Sequence, residues 1–200
     1  MPVLESGEAG GRCYLAVRLV EGRSLAERIG ERPPLDLREV TRIAVHVGRA
    51  LDSLHAAGLV HRDVKPENVM LAPEGALLTD FGLARGAGYT ILTRPGEVMG
   101  TLDYLAPELV LGQPASPASD LYALGCLVYE CVAGKAPFAD TDVLRVATAH
   151  VEQAPPDPRE ARPELSADLA FAILAPLAKH PRERPATGRM YGQLLRVALH

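Results

Sequence analysis

The sequence predicts an α+β fold in which a short N-terminal β-hairpin is followed by a mainly helical domain. Residues 3–20 hold two β-like runs around a glycine-containing turn. Residues 36–57 repeat apolar side chains at intervals of three and four, the period of an amphipathic helix. Residues 120–132 are apolar nearly all round, which indicates a buried helix. With 48% apolar residues, the 200-residue chain can bury a sizeable core.

Charge, hydropathy and cysteine content indicate which partners and which cell compartment to expect. The net charge is −4, and no Lys/Arg stripe is visible along the sequence, so we expect neither nucleic acid nor an anionic membrane as a partner. Glu5 and Glu8 interrupt the N-terminus before a signal peptide could develop. The longest apolar stretch, residues 121–132, is shorter than the roughly 20 residues of a membrane span. Three cysteines without metal-ligand spacing fit reduced thiols in the cytoplasm.

The first elements begin and end at recognisable residues. The segment GEAGGR has neither the GxGxxG order nor a following helix, so residues 6–11 are predicted to form a hairpin turn rather than a phosphate loop. Ser24 and Glu27 have the spacing of a capping box, which opens a short helix ending at Gly30. Asp36 is the expected N-cap of the long helix, which Gly58 ends.

The most informative stretch is residues 61–80, HRDVKPENVMLAPEGALLTD, where two polar clusters flank a predicted strand, turn and strand. A hairpin brings its two ends together, so we expect Asn68 and Asp80 to face one another. Oxygen ligands from the two ends can share a hard cation such as magnesium. Asp63 is then left to take a proton.

The rest of the chain is predicted to alternate loops and helices. Residues 81–108 hold too many glycines for a helix, and we expect a mobile segment there. Gly134 should end the buried helix, and a further helix should span residues 141–151. Ser166 should cap a helix that runs to residue 178 with a bend near Pro176, and the last helix should occupy residues 187–199.

Residues 61–80 with the following Phe81 and Gly82 resemble the catalytic loop and magnesium-binding turn of the protein kinase family. The segment GTLDYLAPE, residues 100–108, resembles the family's substrate-docking loop and its Ala-Pro-Glu anchor. Lys65 together with Thr101 is the serine/threonine form, and the chain is most similar to bacterial eukaryotic-like serine/threonine kinases. The resemblance implies a helical large lobe over residues 21–200. Residues 1–20 would be the hinge and a remnant of the small lobe, its fourth and fifth strands.

The resemblance also implies an active site that uses ATP and Mg²⁺. Asp63 would accept or orient the proton of a substrate hydroxyl, and Lys65 would steady the γ-phosphate. Asn68 and Asp80 would hold magnesium against the phosphates. The adenine contacts would come from the gatekeeper, two hinge backbones and the floor of the pocket: Val17, Arg18, Val20 and Met70. Core packing of these four residues is the simpler interpretation, and it does not exclude the binding role.

Regulatory and structural residues follow from the same resemblance. Thr90 and Thr93 would be activation sites, and a phosphate there would pair with the Arg62 guanidinium; an unmodified loop is the alternative. Thr101 belongs to the same regulatory segment. Asp120 would brace the backbone of the catalytic loop, and Arg184 would form a buried ion pair with Glu108. The structural set is His61, Phe81, Gly82, Glu108, Asp120 and Arg184.

One departure from the family pattern is large. A complete kinase begins with a glycine-rich loop, a strand carrying a lysine and a helix carrying its glutamate partner, whereas the lysines here are Lys65, Lys135 and Lys179. We therefore expect little or no activity from these 200 residues alone. Three interpretations stay open: a serine/threonine kinase whose start was cut, a kinase-like module that regulates a protein partner without catalysis, or a non-functional remnant.

Overall fold

The computed structural model describes residues 3–31, 34–80 and 102–200. Five of the predicted site residues lie outside this part of the chain: Phe81, Gly82, Thr90, Thr93 and Thr101. The described residues form two small antiparallel sheets and seven α-helices, which confirms the predicted α+β class.

The first sheet is a two-stranded hairpin of β1 (Val3–Ala9) and β2 (Arg12–Val17). Gly10 and Gly11 have φ values of 58° and 73°, which a two-residue hairpin turn requires and glycine adopts without strain. The hairpin was predicted correctly, but its turn was placed too widely. Residues 6–9 continue β1 because they pair in register with residues 12–15, and β2 ends at Val17 rather than at residue 20.

The second sheet has the order β3-β4-β5, with β3 at Arg23–Ser24, β4 at Val69–Ala72 and β5 at Gly75–Leu78. The hairpin of β4 and β5 was predicted, whereas β3 was not. Ser24 pairs with Met70 and also begins the first helix, so this two-residue strand ties the N-terminal segment to the hairpin. A strand this short carries no alternation that a sequence pattern could reveal.

The helices follow the predicted order, except that the short helix over Pro107–Val110 was not predicted. They are α1 (Leu25–Glu31), α2 (Leu37–Ala56), α3 (Pro107–Val110), α4 (Pro117–Ala133), α5 (Val143–Glu152), α6 (Ala167–Leu174) and α7 (Gly188–Ala198). The capping box of α1 is present, since Ser24 N donates to Glu27 at 2.7 Å and Glu27 N donates to Ser24 Oγ at 3.1 Å. A 3₁₀ turn, Ala175–Leu177, follows α6 where a bend was expected.

Helix α4 begins at Pro117, three residues before the predicted start. Ser116 and Ser119 exchange reciprocal capping bonds, which form the first turn ahead of the apolar run. Every residue from Ser119 to Tyr129 is buried, and α2 and α6 pack against this helix. Among the described residues, no helix is both long enough and apolar enough to cross a bilayer.

Helices α2 and α7 pack backbone against backbone. A Cβ atom added to Gly48 would lie 2.8 Å from the Gly188 carbonyl oxygen, so the two backbones touch. We predict that Gly48→Ala lowers the free energy of unfolding by about 1–3 kcal/mol, because the helices must separate. Gly30→Ala is the matched control. It meets nothing within 4 Å and should be neutral or stabilising in urea unfolding.

Candidate active site

The segment after α2 is held by one buried carboxylate. Asp120 of α4 is 2% exposed, and its two oxygens accept the backbone N–H of His61 at 2.8 Å and of Arg62 at 2.9 Å. Arg62 has φ of 69°, a left-handed conformation that is strained for a residue with a side chain. The two bonds to Asp120 hold the loop in this conformation.

His55 of α2 contributes a third bond to the same carboxylate, with Nε2 lying 2.8 Å from Asp120 Oδ2. This contact was not predicted from the sequence. The spacing of 65 residues to Asp120 is a tertiary relation that no local pattern reveals. The last turn of α2, the loop and α4 are therefore joined at one point.

His61 connects the same loop to the end of β5. It is 1% exposed, and burial lowers its pKa, so the ring is neutral. Its Nε2 lies 3.0 Å from the Thr79 carbonyl oxygen, and its Nδ1 lies 3.3 Å from the backbone nitrogen of Asp63. A neutral ring that donates from Nε2 and accepts at Nδ1 satisfies both contacts.

Three of the residues predicted for the active site contact one another within this loop. Asp63 Oδ2 lies 3.1 Å from Lys65 Nζ, and Asn68 Nδ2 donates to the same carboxylate oxygen at 3.0 Å. Asn68 Nδ2 also donates to the Asp63 carbonyl oxygen at 2.8 Å. The amide nitrogen of Asn68 is thus occupied, which leaves its oxygen as the atom that could face a cation.

Asp80 follows the paired ends of the hairpin. The Thr79 backbone nitrogen donates to the Asn68 carbonyl oxygen at 2.9 Å, so Asp80 lies one residue beyond this contact. Its φ is 53°, and its side chain is exposed. An exposed carboxylate and an oriented amide oxygen at adjoining strand ends are donors of the type that Mg²⁺ prefers, so these residues fit the ion.

Of the four residues expected around adenine, Met70 lies half-buried in β4, two residues after Asn68, whereas the other three lie at or just after the end of β2. Val17 ends β2, and Val20 belongs to residues 18–21, which form neither helix nor strand; both are half-buried. Arg18 is ion-paired with Glu74 in the turn between β4 and β5.

Arg184 and Glu108 form a buried, bidentate ion pair. The distances are 2.7 Å from Nη1 to Oε1 and 2.8 Å from Nη2 to Oε2, and the side chains are 0% and 6% exposed. The remaining guanidinium N–H groups donate to three carbonyl oxygens, those of Ala118, Ala178 and Lys179. All five donors are therefore satisfied, and the pair fixes α3 against α4 and the segment after α6.

A second buried polar contact was not predicted. Tyr122 of α4 places its hydroxyl 2.8 Å from Nδ1 of His150 on α5. Burial lowers the pKa of His150 to about 3 and raises that of Tyr122, so both groups are neutral and the ring accepts a hydrogen bond from the hydroxyl. Lys179 donates to the carbonyl oxygens of Ala149 and His150 at 3.1 and 2.7 Å, and burial lowers its pKa to about 8.

His150 should make the protein sensitive to acid. Its pKa is about 3 in the folded state against 6.5 ordinarily, so the unfolded chain binds the extra proton and stability falls as pH drops below 6.5. By pH about 4.5 the loss should reach about 2–3 kcal/mol. His150→Gln, which can still accept from Tyr122, should flatten this dependence in urea unfolding, and His180→Gln on the surface should not. Parallel curves for the wild type and His150→Gln would contradict the prediction.

One family profile and several known proteins match most of this chain. The profile of the family described as protein kinase domain matches residues 3–193. Serine/threonine-protein kinase PknA of Mycobacterium tuberculosis is 43% identical over 180 residues, which are 90% of this chain and 41% of that protein. Serine/threonine-protein kinase PknE of the same species is 39% identical over 188 residues, 94% of this chain and 33% of that protein. The chain thus spans less than half the length of these relatives.

Proposed function

The chain belongs to the protein kinase family, and on this premise we propose that it transfers the γ-phosphate of ATP to serine and threonine hydroxyls of proteins. The observation that carries the proposal is the Asp63 carboxylate, which Lys65 and Asn68 hold between them at the end of the β-hairpin. We also propose that residues 21–200 act as the large lobe and residues 1–20 as the hinge and part of the small lobe.

In this proposal each residue of the cluster has one task. Asp63 accepts the proton of the substrate hydroxyl as the oxygen forms its bond to phosphorus and the bond to the ADP oxygen breaks. Lys65 places a positive charge beside the phosphoryl group. Asn68 and Asp80 would hold Mg²⁺, which offsets the charge of the ATP phosphates when bound. Val17, Arg18, Val20 and Met70 would line the adenine site.

Regulation is proposed for the segment before α3. Thr90 and Thr93 would be phosphorylated, and Arg62, whose backbone Asp120 fixes, would bind the phosphate. Thr101 would lie in the docking loop, and Phe81 and Gly82 would complete the magnesium-binding turn. Phosphopeptide mapping after incubation of a complete kinase domain with ATP tests this, and an absence of phosphate on both Thr90 and Thr93 would contradict it.

A second candidate is a regulator that binds protein partners without catalysis. We place either protein in the cytoplasm, since Cys126 and Cys131 are buried free thiols. One experiment separates the two. Magnesium-dependent transfer of labelled phosphate to a serine-containing protein supports the kinase, whereas binding of a protein partner without any transfer supports the regulator.

A further inference from the structure

Helices α2 and α7 lie side by side and antiparallel. Gly48 meets Gly188, and a Cβ atom on Gly192, one turn further along α7, would lie 2.8 Å from Val45, one turn earlier on α2. Near the C-terminal end of α2, the Asp52 carboxylate accepts the backbone N–H of Gly188, the first residue of α7, at 2.7 Å. The opposite side of α2 packs on α4, so the outer surfaces of the two helices form one solvent-facing layer.

Five exposed arginines lie on this layer. On α2 they occupy positions i, i+4 and i+11, which fall within one stripe of a helix, and on α7 they occupy i and i+7. The contacts between the helices bring Arg49 level with Arg189 and Arg42 level with Arg196. We call the set the α2–α7 basic face: Arg38, Arg42, Arg49, Arg189 and Arg196.

No acidic side chain on these two helices neutralises the basic face. Glu39 is ion-paired with Arg28 at 2.9 Å, and Asp52 is bonded to the backbone N–H groups of Gly188 and Arg189. Asp36, at the N-terminus of α2, accepts two backbone N–H groups. Among the described residues, no side chain pairs with any of the five guanidinium groups. Positive charge is therefore concentrated here in a chain whose net charge is −4.

Two exposed aliphatic side chains form a second stripe on α7, about 100° around the helix from its arginines and bordering the basic face. Met190 and Val197 are 55% and 69% exposed, and each directly follows an arginine of the basic face, at the same spacing of seven residues. Guanidinium groups bind phosphates, and exposed aliphatic side chains gain from contact with acyl chains. Nucleic acid would use the arginines and leave the aliphatic pair in water, so the combination favours a lipid surface.

We propose that the α2–α7 basic face docks on the surface of an anionic lipid bilayer. The arginines bind headgroup phosphates, while Met190 and Val197 enter the boundary between headgroups and acyl chains. From Arg38 to Arg49 the stripe spans roughly 16 Å, and the two helix axes lie about 8–10 Å apart, a footprint that covers several lipid headgroups. The face contains none of the residues assigned to phosphate transfer, so the two proposals stand independently.

Binding to vesicles tests this proposal. The protein is titrated with vesicles of phosphatidylcholine alone and with vesicles that contain about 30% phosphatidylglycerol. We expect binding only to the anionic vesicles, with a loss between about 0.1 and 0.5 M salt. Each arginine near an anionic surface strengthens binding about fivefold, so Arg42→Gln/Arg49→Gln/Arg196→Gln should weaken it on the order of 100-fold.

The control variant removes the same charge elsewhere. Arg12, Arg145 and Arg182 are exposed and lie outside the basic face, so their triple replacement by Gln should leave vesicle binding within about twofold. Circular dichroism verifies that both variants are folded. Equal weakening by the two variants, or no binding to anionic vesicles, would overturn the proposal. The protein could also bind duplex DNA or polyglutamate more tightly than it binds anionic vesicles. If the basic-face variant abolished that binding, the face would be assigned to another polyanion, and the proposal would be overturned.

Discussion

Arg184→Met should lower the free energy of unfolding by about 3–5 kcal/mol. The methionine has nearly the volume of the arginine stem, so the loss comes mainly from Glu108, which stays buried without a positive partner. Three carbonyl oxygens, those of Ala118, Ala178 and Lys179, lose their donor at the same time. The measurement is the free energy of unfolding in urea near neutral pH.

Two further variants separate charge from packing. Arg184→Met/Glu108→Leu removes both charges and should recover a substantial part of the loss, since no unpaired carboxylate remains buried. Arg145→Met removes a surface ion pair to Asp142, whose side chains are 76% and 52% exposed, and should cost less than about 1 kcal/mol. Equal losses for Arg184→Met and Arg145→Met would contradict the role of burial.

The parts of the fold that could be predicted are those encoded by neighbours in the sequence. The apolar period of α2, the capping box of Ser24 and Glu27, and the hairpin after Asn68 each depend on residues within a few positions. The start of α4 was missed because its first turn is polar and is stabilised by caps rather than by an apolar stripe.

The parts that could not be predicted are tertiary. Strand β3 exists only because Ser24 and Arg23 reach β4 across the chain. His55 reaches Asp120 across 65 residues, and Tyr122 reaches His150 across 28. The basic face was missed for the same reason, since its five arginines are scattered along the sequence and form one surface only where α2 and α7 lie together.

Asp63→Asn should reduce phosphate transfer by about 10²–10⁴-fold. The substitution keeps the size of the side chain but removes the carboxylate that would accept the hydroxyl proton. It also removes the negative charge that holds Lys65 at 3.1 Å, so the lysine loses its position beside the phosphoryl group. The measurement is the rate at which a complete kinase domain containing these residues transfers labelled phosphate to a serine-containing protein at saturating ATP.

Glu67→Gln is the matched control, because this exposed carboxylate lies in the 3₁₀ turn Pro66–Asn68, within the same loop. Its transfer rate should stay within about tenfold of the wild type, since the residue takes no proton in the proposed reaction. ATP binding should survive in Asp63→Asn, because Asn68 and Asp80 keep their oxygens and Asp63 is not a proposed ligand of magnesium. If Asp63→Asn transferred phosphate at the wild-type rate, Asp63 would have no part in the chemistry, and its contact with Asn68 would be purely structural.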